Sequence, residues 1–267
     1  MQQQLATSVT VAYDDVGGGL PVVLLHAFPL ARAMWRPQVE ALRNDYRLIV
    51  PDLRGFGGTS GFSETVPPSI EQMADDVAAL LAALRLTEPV VLGGLSMGGY
   101  VALAFARKHP GWLRGLVLAD TRAEPDTAEG KANRDKMIAF ARNHSAADVI
   151  DQLLPKLLSE TTRSQRPEVV AEVRQLAAAQ TPTGIIGALE AMRDRPDATA
   201  WLGQIDVATL VLVGADDTLT PPSLAETLAA RIQGARLEII PGAGHLSNLE
   251  QPDAFNQAVR AFLRTLG

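Results

Sequence analysis

The 267 residues include no cysteine and only four histidines, so a thiol nucleophile is excluded, and the base that a serine hydroxyl needs near neutral pH points to one of those four imidazoles. The serine in the most suggestive setting is Ser96, within Gly94-Leu95-Ser96-Met97-Gly98, with Gly99 following. This run fits G-x-S-x-G, a tight strand-to-helix turn that exposes a serine hydroxyl and closes only if the flanking positions carry no side chains. The same glycines would serve a packing turn with an incidental serine. An apolar strand run at 90–92 before the turn and a helical pattern from Met97 after it favour the catalytic reading. The N-terminus of that helix also turns N–H donors and a positive dipole end toward developing negative charge.

Of the histidines, His109 sits in Arg107-Lys108-His109-Pro110 at a helix end and His144 in a helical stretch, and both read as surface residues. His26 closes the strand run at 22–25, and His245 ends Pro241-Gly242-Ala243-Gly244-His245, just after the last strand run. Loops at the carboxyl ends of parallel strands gather over one edge of a sheet, which makes His245 the best base. A carboxylate is then needed to orient the imidazole and balance its cation. Asp217 is the choice, because its strand immediately precedes the His245 strand and consecutive strands often neighbour each other. Asp216 and Asp120 stay open as alternatives. The chain order Ser96, Asp217, His245 is the one that accompanies the elbow motif. Two backbone N–H groups complete an oxyanion site: that of Met97, and that of Phe28 in His26-Ala27-Phe28-Pro29, since Pro29 has none to donate.

These loops require elements to hold them. Strand runs are expected at 22–25, 48–50, 90–92, 116–118, 210–213 and 237–240, mostly apolar on consecutive residues as in strands buried on both faces. Helical patterns alternate with them at 35–44, 69–86, 97–109, 222–232 and 252–266, with Ser69 a candidate N-cap. Strand and helix in alternation imply an α/β fold with a mostly parallel sheet. Residues 9–13 alternate more and precede Gly17-Gly18-Gly19, so they read as the antiparallel edge. From 122 to 200 no strand run occurs, and apolar spacing broken by prolines 155, 167, 182 and 196 suggests three or four amphipathic helices. The organisation expected is therefore a core of 1–121 and 201–267 with a helical cap of 122–200 inserted before the strand bearing the acid. Apolar cap residues such as Met137, Phe140, Leu154, Ile185 and Met192 fit core packing better than a substrate pocket.

Composition narrows the partners. Twenty-four basic against 30 acidic side chains, a net charge of -6, would repel phosphate backbones and anionic lipid, which argues against nucleic acid and membrane surfaces. The start of the chain lacks the basic and then apolar pattern of an export signal, and no apolar run approaches the roughly 20 residues of a membrane span, so a cytoplasmic location is expected. The tripeptide Asn143-His144-Ser145 is then a chance match to a glycosylation site. Scattered histidines and the lack of G-x-G-x-x-G or G-K-[ST] loops imply neither metal nor nucleotide cofactor.

Taken together, the chain resembles the α/β-hydrolase superfamily over nearly its whole length. Besides the elbow, His26-Ala27-Phe28-Pro29 is similar to the family's H-G-x-P oxyanion loop and Asp52-Leu53-Arg54-Gly55-Phe56-Gly57 to its D-x-R-G-x-G turn. Gly214-Ala215-Asp216-Asp217 with Thr220-Pro221 resembles the acid loop, whose acid falls on the second aspartate, and Gly242-Ala243-Gly244-His245-Leu246 with Glu250 and Pro252 resembles the histidine loop. Two departures stand out: Ala27 where the family usually has glycine, and Thr59 and Ser60 together after Gly58. The resemblance implies a serine hydrolase acting on small carboxylic esters, most like bacterial esterases and 3-oxoadipate enol-lactonases. Carbon–carbon bond hydrolases of aromatic catabolism and cofactor-free perhydrolases are further alternatives. Enzymes of the fold that use an aspartate nucleophile are excluded by Ser96. A ligand-binding protein that keeps the pocket without turnover is the non-enzymatic rival, disfavoured because every catalytic group is present.

Overall fold

The computed structural model describes residues 1–62 and 68–267. Eight strands form one sheet: β1 (Gln2–Gln4), β2 (Thr10–Val16), β3 (Pro21–Leu25), β4 (Arg47–Pro51), β5 (Val90–Leu95), β6 (Leu113–Ala119), β7 (Ala208–Gly214) and β8 (Arg236–Ile240). Their spatial order is β1-β2-β4-β3-β5-β6-β7-β8. The pairs β1/β2 and β2/β4 are antiparallel and all others are parallel. All six strand runs expected from the sequence are present in this sheet. Of residues 9–13, 10–13 fall in an antiparallel strand as expected, but not at the edge. Gln2–Gln4 pairs outside them, held by ladder hydrogen bonds that need no apolar side chains, which is why the glutamine run carries no strand pattern.

Five helices cover the sheet: α1 (Arg36–Leu42), α2 (Ile70–Ala83), α3 (Met97–Lys108) and, after the insertion described below, α9 (Pro222–Arg231) and α11 (Pro252–Leu263). Side chains alternate across a strand, so Val23 and Leu25 pack with α2, α3 and α9 while Val22 and Leu24 pack with α1 and α11. Two apolar cores result, one on each face, and β3 and β5 are buried along their whole length as their continuous apolar runs require. Ser69 caps α2 by accepting the Gln72 N–H at 3.1 Å.

Between β6 and β7 stand five helices rather than three or four: α4 (Ala128–Ala141), α5 (Ala146–Leu157), α6 (Glu160–Gln165), α7 (Pro167–Ala178) and α8 (Pro182–Arg193), with a 3-10 turn at Thr199–Gln204. Pro155 lies inside the last turn of α5 instead of ending it. Ser145, in the chance glycosylation match, begins α5 with a reciprocal capping box to Asp148. The short α10 (Ser247–Glu250) follows His245. Among the described residues no helix is long and apolar enough to cross a membrane.

Candidate active site

At the carboxyl end of β5 the chain turns sharply into α3, and Ser96 takes φ 55° and ψ -110° there, outside the regions favoured for an L-residue. The two glycines of the motif are required by contact. A Cβ on Gly94 would lie 2.1 Å from the Gly98 carbonyl oxygen, and one on Gly98 would lie 2.2 Å from that of Leu25. Ser96 N–H donates to Ala119 O and Thr121 Oγ1–H to Ser96 O, each at 2.9 Å, so β6 anchors the turn from the other side.

His245 reaches this serine from the loop after β8. Ser96 Oγ–H donates to His245 Nε2 at 2.7 Å, and His245 Nδ1–H donates to Asp217 Oδ2 at 2.8 Å. The carboxylate accepts at Nδ1, which leaves Nε2 free to accept the serine proton. Asp217 is itself fastened: its Oδ1 accepts the N–H groups of Leu219 and Thr220 at 2.8 and 3.0 Å, and its Oδ2 accepts Thr220 Oγ1–H at 2.6 Å. Burial would raise its pKa, but the His245 charge and these hydrogen bonds outweigh that and hold it below the ordinary carboxylate value. Burial likewise works against the His245 cation, while Asp217 stabilises it, and the net result is a raised pKa. Thr220, three residues after the acid, was not singled out as a site residue; its D-x-x-T spacing is the local turn signal that could have found it.

The three candidate acids separate cleanly. Asp217 contacts the imidazole. Asp216 is exposed, and only its backbone N–H is engaged, with Ala243 O at 2.8 Å. Asp120 is fully buried at the end of β6, with φ 45°, accepting Gly214 N–H at 2.9 Å and pairing with Ser247 Oγ. It therefore ties the acid strand to the segment following His245 without touching the ring. Burial first, and the nearby Asp217 charge second, push its pKa up to about 8.

The other histidines do not reach the serine. His109 Nε2 bonds Asp75 at 2.9 Å, and exposed His144 lies flat on Phe140. His26 is buried and holds two loops together. Its Nδ1–H donates to Ala27 O at 3.0 Å and its Nε2 accepts Leu53 N–H at 2.9 Å, an arrangement that needs the neutral ring. Burial lowers its pKa in agreement. This fastening fixes the Ala27-Phe28 segment beside the elbow. Among the described residues neither Phe28 N–H nor Met97 N–H donates to a protein acceptor, so both remain available to a bound oxygen. Ala27 is not among the residues with positive φ, so its methyl group is accommodated without strain. Thr59 and Ser60 also have work: their hydroxyls accept the N–H groups of Ala12 and Thr10 and pin β2 to the Asp52 turn.

Glu250 is the fastener on the histidine side. Fully buried, it accepts N–H groups from Gly244 at 2.9 Å, Leu246 at 3.3 Å and, across the insertion, Ser159 at 2.8 Å. Above Ser96 and His245 opens a cavity of ≈ 290 Å³, lined from the sheet side by Phe28 and Thr220 and from the insertion by Met137, Leu153, Leu189 and Met192. Of the apolar insertion residues expected to be core, Leu154, Ile185 and Met192 are buried in it and Met137 and Phe140 pack against it, while Met137 and Met192 also line this cavity. Among the described residues no group of three or more His, Asp or Glu side chains could hold a metal ion.

A mostly parallel sheet with a serine elbow at its centre defines a class of hydrolases, and the comparison with known families agrees. Residues 21–252 match the alpha/beta hydrolase fold family, and the chain belongs to it. Its relatives are enzymes of this type, and so is this protein. It is 42% identical to a thermophilic esterase from Thermogutta terrifontis, covering 100% of this chain and 98% of that one with a TM-score of 0.95. Similarity extends to a pimeloyl-[acyl-carrier protein] methyl ester esterase of Neisseria meningitidis, 32% identical over 91% of this chain and 76% of the relative. A 3-oxoadipate enol-lactonase of Acinetobacter baylyi is 28% identical over 87% of this chain and 84% of its own.

Proposed function

We propose that the protein hydrolyses small carboxylic esters through an acyl-enzyme on Ser96. The observation that carries this reading is the unbroken chain from Ser96 Oγ through His245 to Asp217, 2.7 and 2.8 Å long in its two links. Ser96 Oγ attacks the ester carbonyl carbon as His245 Nε2 takes its proton. The carbonyl oxygen becomes an oxyanion held by the N–H groups of Phe28 and Met97. Collapse breaks the bond to the alkoxy oxygen, and His245 returns its proton to the departing alcohol. Water then gives a proton to His245 and adds to the acyl carbon; the acid leaves and Ser96 recovers its hydrogen. Residues 122–200 act as a cap over the core of 1–121 and 201–267 and supply most of the apolar wall of the cavity. Ring opening of an enol-lactone needs the same steps with a tethered leaving group, and the likeness to 3-oxoadipate enol-lactonase favours it as the second reading.

Replacing Ser96 by Ala is expected to lower turnover of a short p-nitrophenyl ester by about three orders of magnitude or more with the circular dichroism spectrum unchanged. Retained turnover would refute the nucleophile. A fluorophosphonate probe should label the wild type at Ser96, and an unreactive serine would favour a binding protein instead.

A further inference from the structure

An acidic protein is expected to line its cavities with few cations, yet among the described residues this cavity presents three, Arg122, Arg134 and Lys156, against a single carboxylate, Asp126. Asp126 cannot offset them all. It is buried and receives Arg122 Nη2 at 2.6 Å, Arg195 Nη1 at 2.8 Å and Arg134 Nε. Burial favours its neutral form, but Arg134 and Arg195 outweigh that and hold its pKa at about 2, so it stays an anion throughout the working range. Arg195 is spent on the scaffold, donating to Met192 O at 2.7 Å and Glu124 O at 2.8 Å with its guanidinium 4.1 Å above the Tyr100 ring. One carboxylate thus serves as the third partner of Arg195 and, among the described residues, as the only salt-bridge partner of Arg122 and Arg134. The cavity keeps a surplus of two positive charges. Arg122 Nε is also buried without a hydrogen-bond partner among the described residues.

Guanidinium forks match carboxylates in plane and charge. Met137, Leu189 and Met192 are apolar parts of the same wall, and Arg134 Nη1 lies 3.5 Å from Met192 Sδ. We propose that the ester bound here carries a carboxylate at its far end, as in a monoester of a short dicarboxylic acid. That carboxylate seats against Arg122 and Arg134, and a methylene spacer lies along the two methionines. A cavity of ≈ 290 Å³ falls just below the ~300–1,000 Å³ typical of small-molecule sites, which suits a chain of a few carbons. The inference rests on the reading of Ser96 as the reacting group only for its orientation; recognition of the carboxylate is separable from turnover.

The test compares monomethyl adipate with methyl hexanoate, equal in chain length and differing in the terminal carboxylate. Binding is measured by calorimetry on Ser96→Ala and turnover by methanol release from the wild type. The monoester is expected to bind, and to be turned over in kcat/KM, about tenfold or more better than the neutral ester. The ratio of the two should collapse toward unity in Arg122→Gln and Arg134→Gln and partly recover in Arg134→Lys. Equal or weaker binding of the monoester overturns the proposal, as does a preference that survives both glutamine variants. Preferential binding with no turnover of either ester upholds the carboxylate site and refutes the hydrolytic reading of Ser96 instead. If the glutamine variants fail to fold, the comparison on the wild type and Ser96→Ala still decides.

Discussion

His245 is pulled in two directions, and the balance sets the expected pH dependence. Burial opposes its cation and Asp217 favours it, with the result above the ordinary 6.5. As a base it must be neutral, so kcat/KM is expected to rise with pH and reach half its plateau above 6.5. In Asp217→Asn the largest Coulombic support is gone, with only the weaker fields of Asp120 and Glu250 left, and burial remains. The midpoint should fall below that of the wild type while the plateau drops by about 10⁴-fold. A wild-type midpoint at or below 6.5 in the pH–rate profile would contradict this balance.

Asp120 leads to a stability prediction of its own. Its pKa is about 8 in the fold against 3.8 unfolded, so the native state holds the extra proton between those limits. The stabilisation associated with that proton is complete below pH 3.8 and is lost as pH rises toward about 8. The raised pKa of His245 works in the same sense over its own window. Asp120→Asn, neutral at every pH, should therefore flatten the decline in Tm from pH 5 to pH 8.5 and overtake the wild type at the alkaline end. Parallel declines in the two proteins, measured by thermal denaturation, would show that Asp120 does not carry the proton.

At the scale of elements, the site is a set of loops held at one edge of a sheet. The elbow is the least forgiving. Gly98→Ala would push a methyl group to within 2.2 Å of the Leu25 backbone oxygen, in the strand that leads to the Phe28 loop. A loss of about 1–3 kcal/mol or more is expected, with activity falling further than stability because both N–H groups proposed to hold the oxyanion move. Gly18→Ala is the control, with nothing within 4 Å of the added Cβ and an expected change within about 0.5 kcal/mol. Urea denaturation of both variants, with activity assayed on the folded fraction, checks the difference. The long buried strands and the alternating helices were legible because burial on both faces leaves a continuous apolar run. β1 was not, since Gln2–Gln4 exists by virtue of its partner strand. Nor was the division of labour within the insertion, because Met137 and Leu154 have the same apolar character and only packing turns one to the cavity and the other to the core.

For the molecule as a whole, the inserted helices contribute to both cores. Ile138 and Val149 join the cluster on one face of the sheet, and Leu154 and Val173 join that on the other. A segment that shares both cores with the sheet is not expected to unfold apart from it. Far-UV circular dichroism and loss of esterase activity should therefore trace one coincident transition in urea. A cap that melted first would separate the two curves.

The sequence by itself determined the local chemistry: a strained turn that needs glycine around Ser96, a histidine and an acidic loop after successive strands, and the strand–helix alternation that gathers them. Such features are encoded over a few neighbouring residues, where backbone sterics and periodicity act. Only the tertiary structure shows which of Asp217, Asp216 and Asp120 contacts His245, because that turns on which carboxylate reaches an imidazole 28 residues farther along the chain from Asp217. It alone also brought Arg122, Arg134 and Arg195 onto the buried carboxylate of Asp126. Their mutual charge and desolvation depend on distances across folded helices, which the linear spacing does not contain.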